Sequence, residues 1–314
     1  MSGDRAELRL VGAGGEPVEL ARTLASHGFA DLPPLHLDED ARTLELTFAL
    51  DGGARSVRVA PGRRGYAAVE PIGGPFGRDR ERVLAVVAHV LRLDEDLSEF
   101  YALAASDPQL DWVTAGAGRM LRSPTVFEDV VKTILTTNCA WSATLRMTGA
   151  LVEHLGPEDR SSGRRAFPAA AAMAEADESL YRDVVRAGYR GAYLRALAAS
   201  VADGSLDLEE LSVTSGADLP DDEVAARLLA LPGVGPYAAA HVMMLLGRYS
   251  RLILDSWTRP TYAKVTAARK PVADRTIERR FRRYGRYAGL AFWLVLTRNW
   301  VVEEGAAARA SAPS

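Results

Sequence analysis

The chain reads as mainly α-helical with an N-terminal α+β domain, because its apolar pattern changes period near residue 100. Before that point, Leu44, Leu46, Phe48 and Leu50 alternate with Glu45, Thr47 and Ala49, and Asp51-Gly-Gly53 leads into Ser56-Val-Arg-Val59. Alternation with a period of two on both sides of a Gly-rich turn marks a β-hairpin, since successive strand side chains point to opposite faces. Beyond it, Phe127, Val130, Val131, Ile134 and Leu135 fall at i, i+3, i+4, i+7 and i+8, which is one stripe of a helix.

The remaining elements follow in order. Helices are predicted around residues 17–27 and over 79–93. Past residue 100 the strand patterns stop. Helical segments are predicted around Leu151 and over 181–185, 192–202, 223–231, 238–246, 276–283 and 290–300, with 156–166 and 212–222 as loops. The expected division is residues 1–100 for an α+β domain with an antiparallel sheet and 101–302 for a helical domain. Residues 303–314, rich in Ala and Ser, are expected to be a disordered tail.

At 314 residues and 48% apolar content, the chain can bury a sizeable core and divide into two domains. No apolar run approaches the ~20 residues of a membrane helix, and the start carries no charged-then-apolar leader. The single Cys139 excludes a disulfide framework and a four-cysteine iron–sulfur cluster. A soluble, monomeric, cytoplasmic protein is the expectation. The net charge of −3 argues against nucleic acid, but the distribution argues for it. Residues 259–286 hold ten Arg and Lys against Asp274 and Glu278, while 153–227 hold eight Arg against fifteen acids. A local basic patch suits phosphate binding over a limited footprint, unless it is only a solvated helix face.

The densest signal is Leu231-Pro-Gly-Val-Gly-Pro-Tyr237, with Asp255 eighteen residues further on in Leu252-Ile-Leu-Asp-Ser-Trp257. Gly233 and Gly235 allow φ > 0 and a close approach of a ligand backbone. A glycine hairpin that opens a helix leaves N–H groups bare at a positive dipole end, which is a phosphate site. A Gly-capped turn between two helices is the plainer alternative.

Together these motifs resemble the helix–hairpin–helix DNA glycosylase superfamily, with its hairpin and downstream catalytic Asp. Phe127-Glu-Asp-Val-Val-Lys-Thr-Ile-Leu-Thr-Thr-Asn138, Gly188-Tyr-Arg-Gly-Ala-Tyr193 and Tyr287-Ala-Gly-Leu-Ala291 resemble the 8-oxoguanine branch in content and order. The Pro236-Tyr237 pair resembles the bacterial 3-methyladenine glycosylase II type. The likeness spans roughly residues 95–300. It implies a helical glycosylase domain that acts on double-stranded DNA containing a damaged base, in the bacterial nucleoid.

The resemblance assigns roles. Asp255 becomes the carboxylate beside the sugar, where it stabilises growing positive charge and orients water; as a plain N-cap it would only begin a helix near Ser256. The backbone of Gly233, Val234 and Gly235 contacts DNA phosphate. Asn138 enters the gap left by the extruded base, or else is a helix C-cap. Tyr189 is a further DNA contact or a core tyrosine. Tyr237 and His241, one turn apart, line the base pocket, His241 alternatively being a core imidazole. Arg259, Arg279 and Arg283 supply basic contacts. Carbonyls of Leu229, Leu231 and Val234 would hold a monovalent cation; no other cofactor is expected.

Two departures narrow the reaction. The three lysines are Lys132, Lys264 and Lys270, and Tyr237 stands where bifunctional relatives carry a Schiff-base lysine. Covalent amine catalysis is therefore not expected. Phe292 stands where the 8-oxoguanine branch has a base-reading glutamine; with Trp257 it predicts an apolar pocket for alkylated purines. The sequence thus predicts a monofunctional DNA N-glycosylase for alkylated purines. The alternatives are an oxidised-purine glycosylase and a non-catalytic helix–hairpin–helix protein that binds damaged DNA.

Overall fold

The computed structural model describes residues 4–51 and 53–300; the tail expected at 303–314 lies outside them. The chain begins with β1 (Ala6–Arg9) and α1 (Leu20–Leu24), then β2 (Leu35–Asp38), β3 (Thr43–Leu50), β4 (Gly53–Pro61) and β5 (Tyr66–Pro71). These strands form one sheet in the order β1-β5-β4-β3-β2, every neighbour antiparallel. The predicted hairpin is β3–β4, with Leu44 opposite Val59 and Leu46 opposite Val57. All four side chains are buried against Val83, Val87 and Val90 of α2 (Arg80–Val90).

The helix predicted over 17–27 shortens to the five residues of α1. Glu19 caps it, its carboxylate accepting from the amides of Ala21 and Arg22, so the helix cannot start earlier. His27 then opens a separate 3₁₀ turn, Gly28–Asp31, which carries the chain away.

The helical part comprises α3 (Ser98–Ala105), α4 (Val126–Thr136), α5 (Trp141–Leu155), α6 (Ala170–Glu175), α7 (Arg190–Ala202), α8 (Asp221–Leu229), α9 (Pro236–Leu245), α10 (Thr258–Val265), α11 (Asp274–Phe281) and α12 (Ala288–Thr297). One expectation fails here. Strands do not stop at residue 100: Glu158–Asp159 and Arg164–Arg165 pair as a short ribbon, β6 and β7, inside the predicted loop. The Asp159 carboxylate accepts from the Ser161 amide and the Ser162 hydroxyl to close its turn. Ser162 and Ser56 are within 2.8 Å through their hydroxyls, so the ribbon covers the nominally polar face of β4 and buries Thr47 and Ser56. The helix predicted over 181–185 is present, as a π-helix, Leu180–Val184.

Three apolar cores result. One joins the sheet, α1 and α2; a second joins α4, α5, α7 and α8; a third joins residues 97–120 to α11 and α12. Helix α9 touches the second and third cores and a small fourth cluster. Ala238, Ala239, Val242 and Met243 face the second core, Ala240 and Met244 the third, and Leu245 meets Phe29 and Leu32. A helix apolar all round is one buried on every side, which is what its sequence shows. No helix among the described residues is long and apolar enough to cross a membrane.

Candidate active site

The two hairpin glycines serve different needs. Gly233 has φ +83°, and a Cβ there would lie 2.8 Å from the Tyr193 ring, so its lack of a side chain is demanded from inside. Gly235 has φ −93° and caps α9, and a Cβ on it would meet nothing within 4 Å. The positive φ expected at Gly235 is therefore absent; its bareness faces outward. The amides of Gly233 and Gly235 have no hydrogen-bond partner among the described residues, whereas that of Val234 donates to the Leu231 carbonyl at 3.1 Å. Val234 is also buried in the second core, so its amide is not a phosphate donor as expected. Carbonyls of Leu229 and Val234 accept no backbone hydrogen bond among the described residues.

Asp255 follows Leu252-Ile-Leu254, which packs on the third core with Ile253 fully buried. Gly289 of α12 fixes this segment: its amide donates to the Tyr249 carbonyl at 2.6 Å, and a Cβ would lie 2.1 Å from the Arg251 carbonyl oxygen. The Asp255 Oδ1 accepts from the amides of Trp257 (2.8 Å) and Thr258 (2.6 Å), and the Asp255 amide donates back to the Thr258 hydroxyl. Asp255 thus caps α10, as its plainer reading requires. Oδ2 carries no protein hydrogen bond among the described residues, so a half-buried carboxylate oxygen is left available and its partner oxygen is fixed.

Tyr237 is close enough for the Asp255 charge, after burial, to help push its phenol above the usual range, so it stays an O–H donor. Its hydroxyl lies 3.5 Å from Nδ1 of His241. His241 is 8% exposed and burial lowers it to about 4, so the ring is neutral near pH 7. No carbonyl among the described residues satisfies it, contrary to the core-imidazole reading. It stacks on Phe29 at 4.8 Å and meets His27 edge-on at 6.0 Å. His27 and Phe29 come from the N-terminal part and carry no periodic or motif signal, which is why sequence reading missed them.

Phe292 is not a pocket wall. It is fully buried, edge-on to Phe281 at 5.2 Å and beside Tyr262 at 5.9 Å. One residue further, Trp293 lies at the margin of the same core: its indole N–H donates to the Ser26 carbonyl and its ring meets Trp257 at 5.5 Å. Trp257 is 39% exposed and also touches Trp300. Trp257, whose amide binds Asp255, thus belongs to an aromatic cluster with Trp293 and Trp300; the last two were not predicted, though Trp293 is adjacent to the residue that was.

Asn138 has φ +48° and follows α4 directly, the conformation of its C-cap reading, yet its side chain is exposed and donates to the Tyr189 hydroxyl at 3.2 Å. Tyr189 is 53% exposed, which rules out the core-tyrosine reading. Arg190 holds the pair in place: its buried guanidinium donates to the carbonyls of Thr137 and Ala187 and ties the end of α4 to the start of α7. Trp141, 41% exposed at the start of α5, lies over Gly28, with its ring 3.2 Å from where a Cβ would be.

The arginines divide. Arg259 pairs with Asp274 and Arg283 with Asp107, whereas Arg279 has no ion pair among the described residues. Exposed pairs of this kind are worth about 0–1 kcal/mol, so a phosphate can displace the acid. A separate cleft of about 1530 Å³ lined by Asp94, Glu95, Glu209 and Asp221 contains none of these residues, and its acids would repel DNA.

No family model matches the chain. It is 24% identical over 226 residues to the DNA-3-methyladenine glycosylase of Bacillus subtilis (strain 168), across 69% of this chain and 73% of that protein. Among solved structures, it is similar to the 3-methyladenine DNA-glycosylase from Archaeoglobus fulgidus, with a TM-score of 0.71 and 21% identity over 95% of this chain and 100% of that one. It is equally similar to the apo form of the Clostridium acetobutylicum 8-oxoguanine glycosylase/lyase, with a TM-score of 0.71 and 22% identity over 94% and 96%.

Proposed function

We propose that this chain, which has the α-rich fold of the helix–hairpin–helix DNA glycosylases, is itself a DNA glycosylase of base excision repair. The observation that carries the reading is Asp255, with one carboxylate oxygen fixed by two amides and the other open. A pure DNA binder gains nothing from a carboxylate held near phosphates, whereas an enzyme needs one there. As the bond between base and sugar breaks, positive charge grows on the sugar ring, and a fixed carboxylate stabilises it and orients the attacking water.

The surrounding residues then take complementary parts. Bare amides at Gly233 and Gly235 receive a DNA phosphate on the positive end of α9. The carbonyls of Leu229, Leu231 and Val234, of which the first and last accept no backbone hydrogen bond among the described residues, would hold a monovalent cation, which would supply positive charge beside the phosphate. Asn138 and Tyr189, hydrogen-bonded to each other on the surface, fill the space that the extruded base vacates. Arg259, Arg279 and Arg283 add phosphate contacts.

The finer reading is a monofunctional enzyme for alkylated purines. Lys132 is buried and paired with Glu128 at 2.6 Å, Lys264 and Lys270 are exposed on or after α10, and Tyr237 occupies the hairpin helix. None of these amines suits attack on the sugar. The exposed face of Trp257, backed by Trp293, suits an electron-poor alkylated ring through cation–π attraction. The Bacillus relative's description as a DNA-3-methyladenine glycosylase agrees with that choice. The test is a panel of duplexes, each with one modified base. Abasic sites that break only after added alkali, without borohydride trapping of the protein, are the expected result; efficient trapping would make the enzyme bifunctional, and intact duplexes throughout would end the glycosylase reading.

A further inference from the structure

The turn after the π-helix Leu180–Val184 carries an arginine where its backbone asks for glycine. Arg186 has φ +55°, a left-handed conformation that glycine adopts freely and an L side chain adopts only at a steric cost. The surroundings fix that conformation without using the side chain. Val185 and Ala187 on either side are fully buried, and the Ala187 amide donates to the Tyr181 carbonyl at 3.0 Å. From α5, the Arg146 guanidinium donates to the carbonyls of Val185 at 2.6 Å and Arg186 at 3.5 Å. The Arg186 side chain itself is exposed and has no hydrogen bond or ion pair among the described residues. A left-handed residue held this firmly, with a free cation in place of glycine, points to a use outside the fold.

Its position supplies that use. A Cβ on Gly233 of the hairpin would lie 2.8 Å from the Tyr193 ring, Tyr193 meets Tyr189 at 5.8 Å, and Tyr189 accepts from Asn138. The chain runs from Arg186 through Tyr189 to Tyr193, so Tyr189 stands between Arg186 and the tyrosine beside the hairpin. Residues 138–146 and 185–193 hold Arg146, Arg186 and Arg190 and no acid, although 153–227 as a whole is acidic. With the damaged strand on the hairpin and Asn138 and Tyr189 in the vacated gap, the surface beyond that pair faces the other strand. We propose that Arg186, on the turn that Arg146 holds, binds a backbone phosphate of the undamaged strand, so that the protein grips both strands of a duplex. The proposal rests on the glycosylase reading and adds the second strand to it. A guanidinium gives phosphate two charge-assisted hydrogen bonds, and such a contact fixes register without reading sequence.

Arg186→Gly is the informative variant, because glycine suits the left-handed turn and only the side chain is lost. Binding is measured by fluorescence anisotropy on a duplex with one tetrahydrofuran abasic-site analogue, and on the same analogue strand alone. Arg186→Gly should weaken duplex binding about tenfold, the scale of one charge-assisted hydrogen bond, and make the log–log salt slope shallower by about one unit. Binding to the single strand should stay the same, and Arg186→Lys should recover part of the duplex affinity. Methylphosphonates, which are uncharged, then replace the phosphates around the lesion one at a time in either strand. One replacement in the undamaged strand should weaken the unaltered protein and leave Arg186→Gly no weaker than before. Unchanged duplex affinity in Arg186→Gly, an equal loss on the single strand, or a matching replacement found only in the damaged strand would each overturn the proposal. An unaltered protein that binds neither DNA would overturn the glycosylase reading itself, a different outcome from those three.

Discussion

Helices α9 and α12 are both ten residues long and buried along nearly their whole length, but they meet different neighbours. Helix α9 starts at an exposed glycine and turns Tyr237 and His241 toward Phe29, His27 and the Asp255 carboxylate. Helix α12 starts against the Tyr249 carbonyl and turns Phe292 into a sealed aromatic core, and only Trp293, one residue on, reaches the face beside Trp257. One residue is 100° of rotation about the helix axis, since 3.6 residues make a turn. Burial on all sides therefore says nothing of which position meets the ligand; the partner packed on each face decides.

That contrast can be broken first at Phe292. Phe292→Ala should destabilise the fold by about 3–5 kcal/mol, the usual range for a Phe removed from a packed core, while the order of preference among modified bases stays the same. Chemical or thermal unfolding measures the first quantity and the duplex panel the second. A changed base preference at little cost in stability would return Phe292 to the pocket.

The hairpin ahead of α9 offers a smaller and sharper contrast. Gly233→Ala forces a Cβ into a left-handed conformation and against Tyr193, and should cost about 1–2 kcal/mol or more of stability. Gly235→Ala meets open space inside the protein and should change stability by only about 0.5 kcal/mol. It should instead weaken binding to damaged and undamaged duplex alike, because phosphate contacts carry little sequence information. Unfolding and duplex titration of both variants decide it; a Gly235 variant that binds normally would show that no phosphate approaches there.

These results trace what the sequence could and could not carry. The β3–β4 hairpin and the α4 stripe were legible because alternation and helical spacing are local. Asn138, Tyr237 and Asp255 were legible because a motif fixes their spacing. The Val234 amide was misread because a turn hydrogen bond to Leu231 claims it, and the motif letters do not record which amides are claimed. Phe292 was misread because one matched letter does not fix helical phase. His27 and Phe29 stand more than 200 residues from His241, and only the packing of α9 against the N-terminal part brings them together. The short ribbon at β6 and β7 escaped because its two-residue strands have no period to detect.

The central claim is that Asp255 stabilises the reacting sugar and does more than cap a helix. Asp255→Asn separates the two roles, because the amide oxygen of Asn can still accept from the amides of Trp257 and Thr258 while the negative charge is gone. The account predicts an unchanged melting temperature, duplex binding that is level or tighter, and single-turnover base excision slower by about 10²-fold or more. Excision at the rate of the unaltered protein would contradict it and leave Asp255 as a helix cap.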